Sequence, residues 1–263
     1  MQKLILITGS TDGIGLETAR KLSAKGHTVL LHGRNPAKLD AARRMLGGDV
    51  EGYVADLSKI VDVEDLAKSV TAKHKKIDVL INNAGVFKTP DPITPDGLDV
   101  RFVVNTLAPY VLTQRLLPSM DASGRVINLS SAAQAPVNLK ALAGQARLAD
   151  MDAYAQSKLA LTMWSRELAK KLPDGPVVVA VNPGSLLASK MVKQGFGVAG
   201  NDLSIGADIL DRAALSDEFA SASGKYFDND AGRFAEPHID ALNLEKSEEV
   251  VSEIEDVLAN TAR

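Results

Sequence analysis

Short apolar runs alternate with longer amphipathic stretches along the whole chain. Leu4 to Ile7 is uninterrupted apolar sequence, and Lys3 to Thr8 is predicted as a first strand. Ile14 to Lys25 then sets Ile14, Ala19 and Leu22 at helical spacing and stops at Gly26. Thr28 to His32 is a second strand. Pro36 to Leu46 is a helix with proline in its first turn and Gly47 past its end. Gly52 to Asp56 is a third strand, Asp62 to His74 a helix, and Val79 to Asn82 a fourth strand. Asp96 to Leu117 reads as one long helix in which Pro109 costs a hydrogen bond or a kink. Arg125 to Ser130 and Val177 to Asn182 are further strands, separated by a long helix over Ala153 to Leu172. Ser204 to Leu215 is helical, Lys225 to Phe227 a short strand, and Ser247 to Leu258 a terminal helix.

Strands that are apolar on both faces, with helices between them, imply a parallel sheet covered on both sides. Right-handed crossovers then predict an α/β fold: a single-domain doubly wound parallel sheet of about seven strands over residues 1–263. Ligands of such sheets bind beyond the carboxyl ends of the strands, where the strand order reverses. No internal repeat and no linker-like stretch divides the chain.

Composition narrows the function. The net charge is −3 with acidic and basic residues interspersed, so no nucleic-acid footprint is present. No run of about 18 apolar residues marks a membrane span. The first strand begins almost at Met1, leaving no room for a signal peptide, and a cytoplasmic location is expected. There is no cysteine, which excludes disulfides, thiol nucleophiles and thiolate metal sites. His27, His32, His74 and His238 lack the spacing of metal ligands, so no metal is expected.

Three stretches carry candidate chemistry. Tyr154 and Lys158 lie four residues apart on one helical face. An ammonium beside a phenol favours the phenolate and gives an oxygen acid/base usable near neutrality. Thr8 to Gly15 joins the first strand to the first helix, with Gly9, Ser10, Thr11, Gly13, Ile14 and Gly15 placed to cradle a pyrophosphate at the helix N-terminus. The end of the second strand has no acidic residue for a ribose hydroxyl. It has Arg34 and Asn35 instead, and a guanidinium suits a 2′-phosphate, so NADP(H) is expected in preference to NAD(H). Asp56, followed by Leu57, could accept from an adenine amino group or cap the turn at Ser58.

Taken together, these residues resemble the short-chain dehydrogenase/reductase family over nearly the whole chain. Thr8 to Gly15 is similar to the family's Thr-Gly-x-x-x-Gly-x-Gly, and Asn82, Asn83, Ala84 and Gly85 to its Asn-Asn-Ala-Gly on the adenosine side. Asn105 sits where the family has its helix asparagine. Ser131 follows the fifth strand, Tyr154 and Lys158 form Tyr-x-x-x-Lys, and Pro183 and Gly184 follow the sixth strand. The resemblance implies oxidoreduction of a small or moderately apolar alcohol/carbonyl pair. Tyr154 would be the proton donor, Ser131 the hydrogen-bond donor to the carbonyl oxygen, and Lys158 the group that lowers the Tyr154 pKa and binds the nicotinamide ribose. Asn105 would hold a water in a proton relay. Ser130 competes with Ser131, which is preferred because the second serine is the family's catalytic one. The resemblance also implies a homodimer or homotetramer, with Trp164 in the core or at a subunit contact.

The stretch from Ser131 to Tyr154 is longer than usual, so Gln134 to Asp152 reads as an insertion. It resembles the retinol-dehydrogenase-like branch, as does Ser223 to Phe227; the membrane anchor of that branch's enzymes is not seen here, so retinoids are not implied. The family's usual threonine after Pro183-Gly184 falls at Ala188, which shifts the nicotinamide contact to Ser189 or to backbone at Leu186. Residues 186–203 contain Gly195, Gly197 and Gly200 and suggest a mobile lid. Substrate groups are expected from Phe87 to Asp91, the insertion and this lid, and Leu142, Leu148, Met191 and Phe196 suggest a moderately apolar pocket. Glu17, Lys21 and Lys25 read as a solvated helix face. The main rival is a dinucleotide-binding regulator without chemistry. A nucleotide-sugar epimerase would need a larger C-terminal substrate domain.

Overall fold

The computed structural model describes residues 1–47, 50–187, 197 and 200–261. Among them the strands are β1 (Leu4–Ile7), β2 (Thr28–Gly33), β3 (Gly52–Val54), β4 (Val79–Asn82), β5 (Arg125–Leu129), β6 (Val177–Asn182), β7 (Tyr226–Asp228) and β8 (Arg233–Ala235). They form one sheet in the order β3-β2-β1-β4-β5-β6-β7-β8. Every pairing is parallel except β7 with β8. The order reverses between β1 and β4, where Ile5 stands opposite both Val29 and Val79. The antiparallel β8 escapes the sequence pattern because three residues, one of them Arg233, carry too little periodicity.

The helices are α1 (Gly13–Ala24), α2 (Pro36–Leu46), α3 (Ile60–Lys73), α4 (Val100–Phe102), α5 (Ala108–Leu116), α6 (Leu139–Leu142), α7 (Asp150–Lys171), α8 (Leu203–Leu215) and α9 (Leu244–Thr261). Strand alternation feeds two cores. Leu6, Leu30, Leu80, Val126 and Val178 face α3, α5, α7 and α9. Ile5, Ile7, Leu31, Ile81, Ile127 and Val179 face α1, α2 and α8. Trp164 is fully buried within the single chain, edge-on to Tyr110, and so belongs to the core. Lys21 and Lys25 stay at the surface and also pair with α8, Lys21 with Asp208 and Lys25, at 2.6 Å, with Asp211, while Glu17 pairs with Arg20.

The helix expected over Asp96–Leu117 starts only at Val100. Gly97 turns the chain at φ +80°, and the Asp99 carboxylate accepts from the Arg101 N–H at 2.9 Å as a cap. Val103–Leu107 forms a π-turn before α5. Pro109 has no N–H, so the Asn105 carbonyl four residues back has no α-helical donor. The buried Arg101 grips Asp99 through two nitrogens and also reaches Asp150, which fixes the start of α7. The insertion is packed structure. Its helix α6 buries Ala141 and Leu142 in the first core, and Arg147 donates to the Gly97 carbonyl at 3.1 Å. Leu142 is therefore a core residue and Leu148 packs against the same cluster; the expectation of a pocket role for Leu142 is corrected.

Candidate active site

A cleft of about 520 Å³ runs along the carboxyl ends of the strands, across the point where the strand order reverses. At one end lie Gly9, Thr11, Gly13, Ile14, Gly15, Arg34 and Lys38. Asp56, Leu57, Asn83, Ala84 and Gly85 follow, and Phe87, Ser130, Tyr154, Lys158 and Pro183 close the other end.

The glycine turn is held open from beneath. Gly9 has φ +64°, in the left-handed region that favours glycine. At Gly15 an added Cβ would stand 2.4 Å from both the Asn83 amide nitrogen and the Gly9 carbonyl, so no larger residue fits. The Asn83 side chain donates to the Thr8 and Gly9 carbonyls at 2.8 and 3.0 Å. The Thr8 hydroxyl accepts from the N–H groups of Asn83 and Ala84, both at 3.0 Å. His32, which the sequence offers only as a packed or solvated histidine, is the peg of the turn. Its Nδ1 accepts from the Gly9 N–H, which assigns the one ring N–H to Nε2, facing the Ala55 carbonyl at 3.1 Å. Burial holds its pKa down at about 4, so the ring is neutral.

Ser10 turns inward, fully buried. Its hydroxyl donates to the Ile7 carbonyl and accepts from the His32 N–H, so its side chain braces the turn and does not line the cleft. Asn35 caps α2 by accepting from the Lys38 N–H at 3.0 Å. The cap brings Lys38 to the cleft beside Arg34, a second cation the sequence reading overlooks. The signal was present: Lys38 lies four positions beyond Arg34, with a cap and proline between them. Asp56 does what the second of its two readings expected. It accepts from both the N–H and the hydroxyl of Ser58, and it also borders the cleft.

At the other end, α7 brings Tyr154 and Lys158 to the cleft floor. Lys158 is 4% exposed, donates to the Leu129 carbonyl at 2.7 Å, and stands 5.7 Å from the Tyr154 ring centroid. Burial lowers its pKa to about 8. Tyr154 packs edge-on against Phe87 at 5.2 Å, and Ser131 lies close enough to its phenol to favour the phenolate. The sequence argument expects a lowered phenol pKa; in the folded chain burial raises it, and Ser131 pulls the other way. Ser130 borders the cleft, but its hydroxyl lies 2.7 Å from Thr162 Oγ1 and 3.3 Å from the Lys158 carbonyl. Ser131 is thus the serine that favours the phenolate of Tyr154.

Asn105 is buried behind this end. Its amide accepts from the Val86 N–H and donates to the Val86 carbonyl and to Ser157, whose hydroxyl donates to the Tyr154 carbonyl. Gly184 and Leu186 follow β6 without lining the cleft. Leu186 has φ +51° and accepts from the Asn201 N–H at 2.7 Å. Ser189, Met191 and Phe196 lie outside the described residues, as does most of the expected lid. Among the described residues no group of three or more acidic or histidine side chains could hold a metal, and no helix is long and apolar enough to cross a membrane.

A family model for short chain dehydrogenases matches residues 3–196. Human retinol dehydrogenase 13 is 32% identical over 253 residues, covering 86% of this chain and 76% of that protein. A crystal structure of an uncharacterised protein from Mycobacterium paratuberculosis superposes with a TM-score of 0.81 at 30% identity, over 97% of this chain and 93% of the other. The Pseudomonas aeruginosa RhlG/NADP active-site complex superposes at 0.71 with 25% identity, over 88% and 95%.

Proposed function

The chain belongs to the short-chain dehydrogenase/reductase family of oxidoreductases, in the branch that includes the retinol dehydrogenases, and from that premise we propose that it moves hydride between NADP(H) and a small or moderately apolar alcohol/carbonyl substrate. The observation that carries the reading is the Tyr154–Lys158 pair, with Ser131 beside the phenol, at the end of a cleft whose other end offers a glycine turn and two cations.

The residues fit a nicotinamide dinucleotide. Gly9, Thr11, Gly13, Ile14 and Gly15 leave the close approach a pyrophosphate needs, at the N-terminus of a helix of 12 residues. Arg34 and Lys38 would take a 2′-phosphate. Asp56, Leu57 and Asn83 to Gly85 would line the adenosine, and Pro183, with backbone near Gly184 and Leu186, the nicotinamide end. The bound dinucleotide supplies the hydride. Tyr154 gives a proton to the carbonyl oxygen in reduction and accepts it in oxidation. Ser131 bonds the same oxygen and stabilises the charge that develops on it. Lys158, charged below about pH 8, favours the phenolate through its field across the ring. The Asn105 amide is committed to Val86 and Ser157, so a relay water would be held by its main-chain carbonyl, the one Pro109 leaves without an α-helical donor.

The test is NADPH consumption against a panel of ketones, aldehydes and quinones, beside a binding titration of NADPH and NADH. Consumption with at least one carbonyl compound is expected. Tight cofactor binding with no consumption across the panel, and no NADP⁺ reduction by the matching alcohols, would favour a dinucleotide-binding regulator instead.

A further inference from the structure

The main-chain carbonyl of Ser131 receives two side-chain donors, one from the same turn and one from a segment remote in sequence. Gln134 Nε2 donates to it at 3.0 Å and the Tyr226 hydroxyl at 3.1 Å. Gln134 opens the insertion, and its Oε1 accepts from the His238 N–H at 3.0 Å. Tyr226 begins β7 and is 5% exposed. Burial and the nearby Asp228 and Asp230 push its pKa up, so it keeps the proton it donates. Ser131 itself follows β5 in a turn where its hydroxyl accepts from the Ala133 N–H at 3.1 Å. Two neutral donors on one carbonyl fix the peptide that carries the serine, whose hydroxyl favours the Tyr154 phenolate.

We infer that Gln134 and Tyr226 form a clamp that positions Ser131 against Tyr154 and the substrate oxygen, so the insertion and the C-terminal segment set the efficiency of proton transfer. The inference rests on the oxidoreductase reading above. Neither residue borders the cleft, so both are positioning residues.

Tyr226→Phe keeps the ring and removes the donor. It should lower kcat about fivefold, the worth of roughly one hydrogen bond, with KM and NADPH affinity unchanged. The limb of the kcat–pH profile that belongs to Tyr154 should move to higher pH, because a displaced Ser131 no longer favours the phenolate. Gln134→Met should act the same way, and serves if Tyr226→Phe folds poorly by circular dichroism. In a Ser131→Ala background neither substitution should cost anything further. An equal loss in that background, or an unmoved limb in a well-folded variant, overturns the clamp. Turnover that survives Tyr154→Phe would instead defeat the reading on which it rests.

Discussion

The two ends of the cleft handle buried polar groups in opposite ways. At the glycine end they bond to one another: His32 spends both ring nitrogens on Gly9 and Ala55, and Asn83 spends its amide on Thr8 and Gly9. At the tyrosine end Lys158 is just as deeply buried, yet among the described residues its ammonium makes one hydrogen bond, to Leu129, and it borders the open cleft. Burial lowers the pKa of both cationic types, to about 4 for His32 and about 8 for Lys158. Only the lysine titrates near neutrality with donors to spare. A satisfied buried group shapes a scaffold, whereas an unsatisfied one facing a cleft is held ready for a ligand.

Lys158→Met breaks the contrast most directly. Turnover should fall by roughly a thousandfold, the scale of one lost electrostatic donor. The sign of its stability effect follows from linkage. The folded lysine titrates near 8 and the unfolded one near 10.5, so between those values the unfolded chain binds more protons and wild-type stability rises with pH. Melting curves of the protein without added cofactor should show that rise in the wild type and not in Lys158→Met; equal pH dependence would remove the account of the buried ammonium.

Gly15→Ala attacks the other end. Its Cβ would meet the Asn83 amide and the Gly9 carbonyl at 2.4 Å, which forces the turn out of shape. Cofactor binding should weaken roughly a hundredfold, about 3 kcal/mol, with Tyr154 and Lys158 undisturbed. Binding within a factor of about two of wild type in a titration would show that the turn does not receive pyrophosphate.

Arg34→Asp sharpens the comparison with a smaller effect. The NADPH/NADH preference in kcat/KM should drop roughly thirtyfold through loss of a charge-assisted contact. Lys38→Ala should lower it less, since a lysine is a point charge without the planar fork. An unchanged ratio in both variants would remove the 2′-phosphate from the site.

The glycine end was legible because its working parts are contiguous. Gly9 to Gly15 follows one strand and opens one helix, so strand period, turn chemistry and helix start all fall in a dozen letters. The Tyr154–Lys158 spacing is equally local. What stayed hidden depends on side chains meeting over long separations. His32 reaches back to Gly9, Asn105 clasps Val86, and Tyr226 meets Ser131 from the far side of β6. Leu142 carries no mark that separates core from pocket, and the late start of α4 turns on one cap at Asp99 overriding helical spacing. The sign of the Tyr154 shift was out of reach for the same reason, since desolvation is a property of the packed site.

The sharpest single measurement is single-turnover hydride transfer from saturating NADPH by Tyr154→Phe, on a carbonyl substrate that the wild type reduces, with cofactor affinity determined in parallel. The account predicts a transfer rate lower by roughly a thousandfold and NADPH affinity within a factor of about two of wild type. A transfer rate close to wild type at full cofactor occupancy would contradict it.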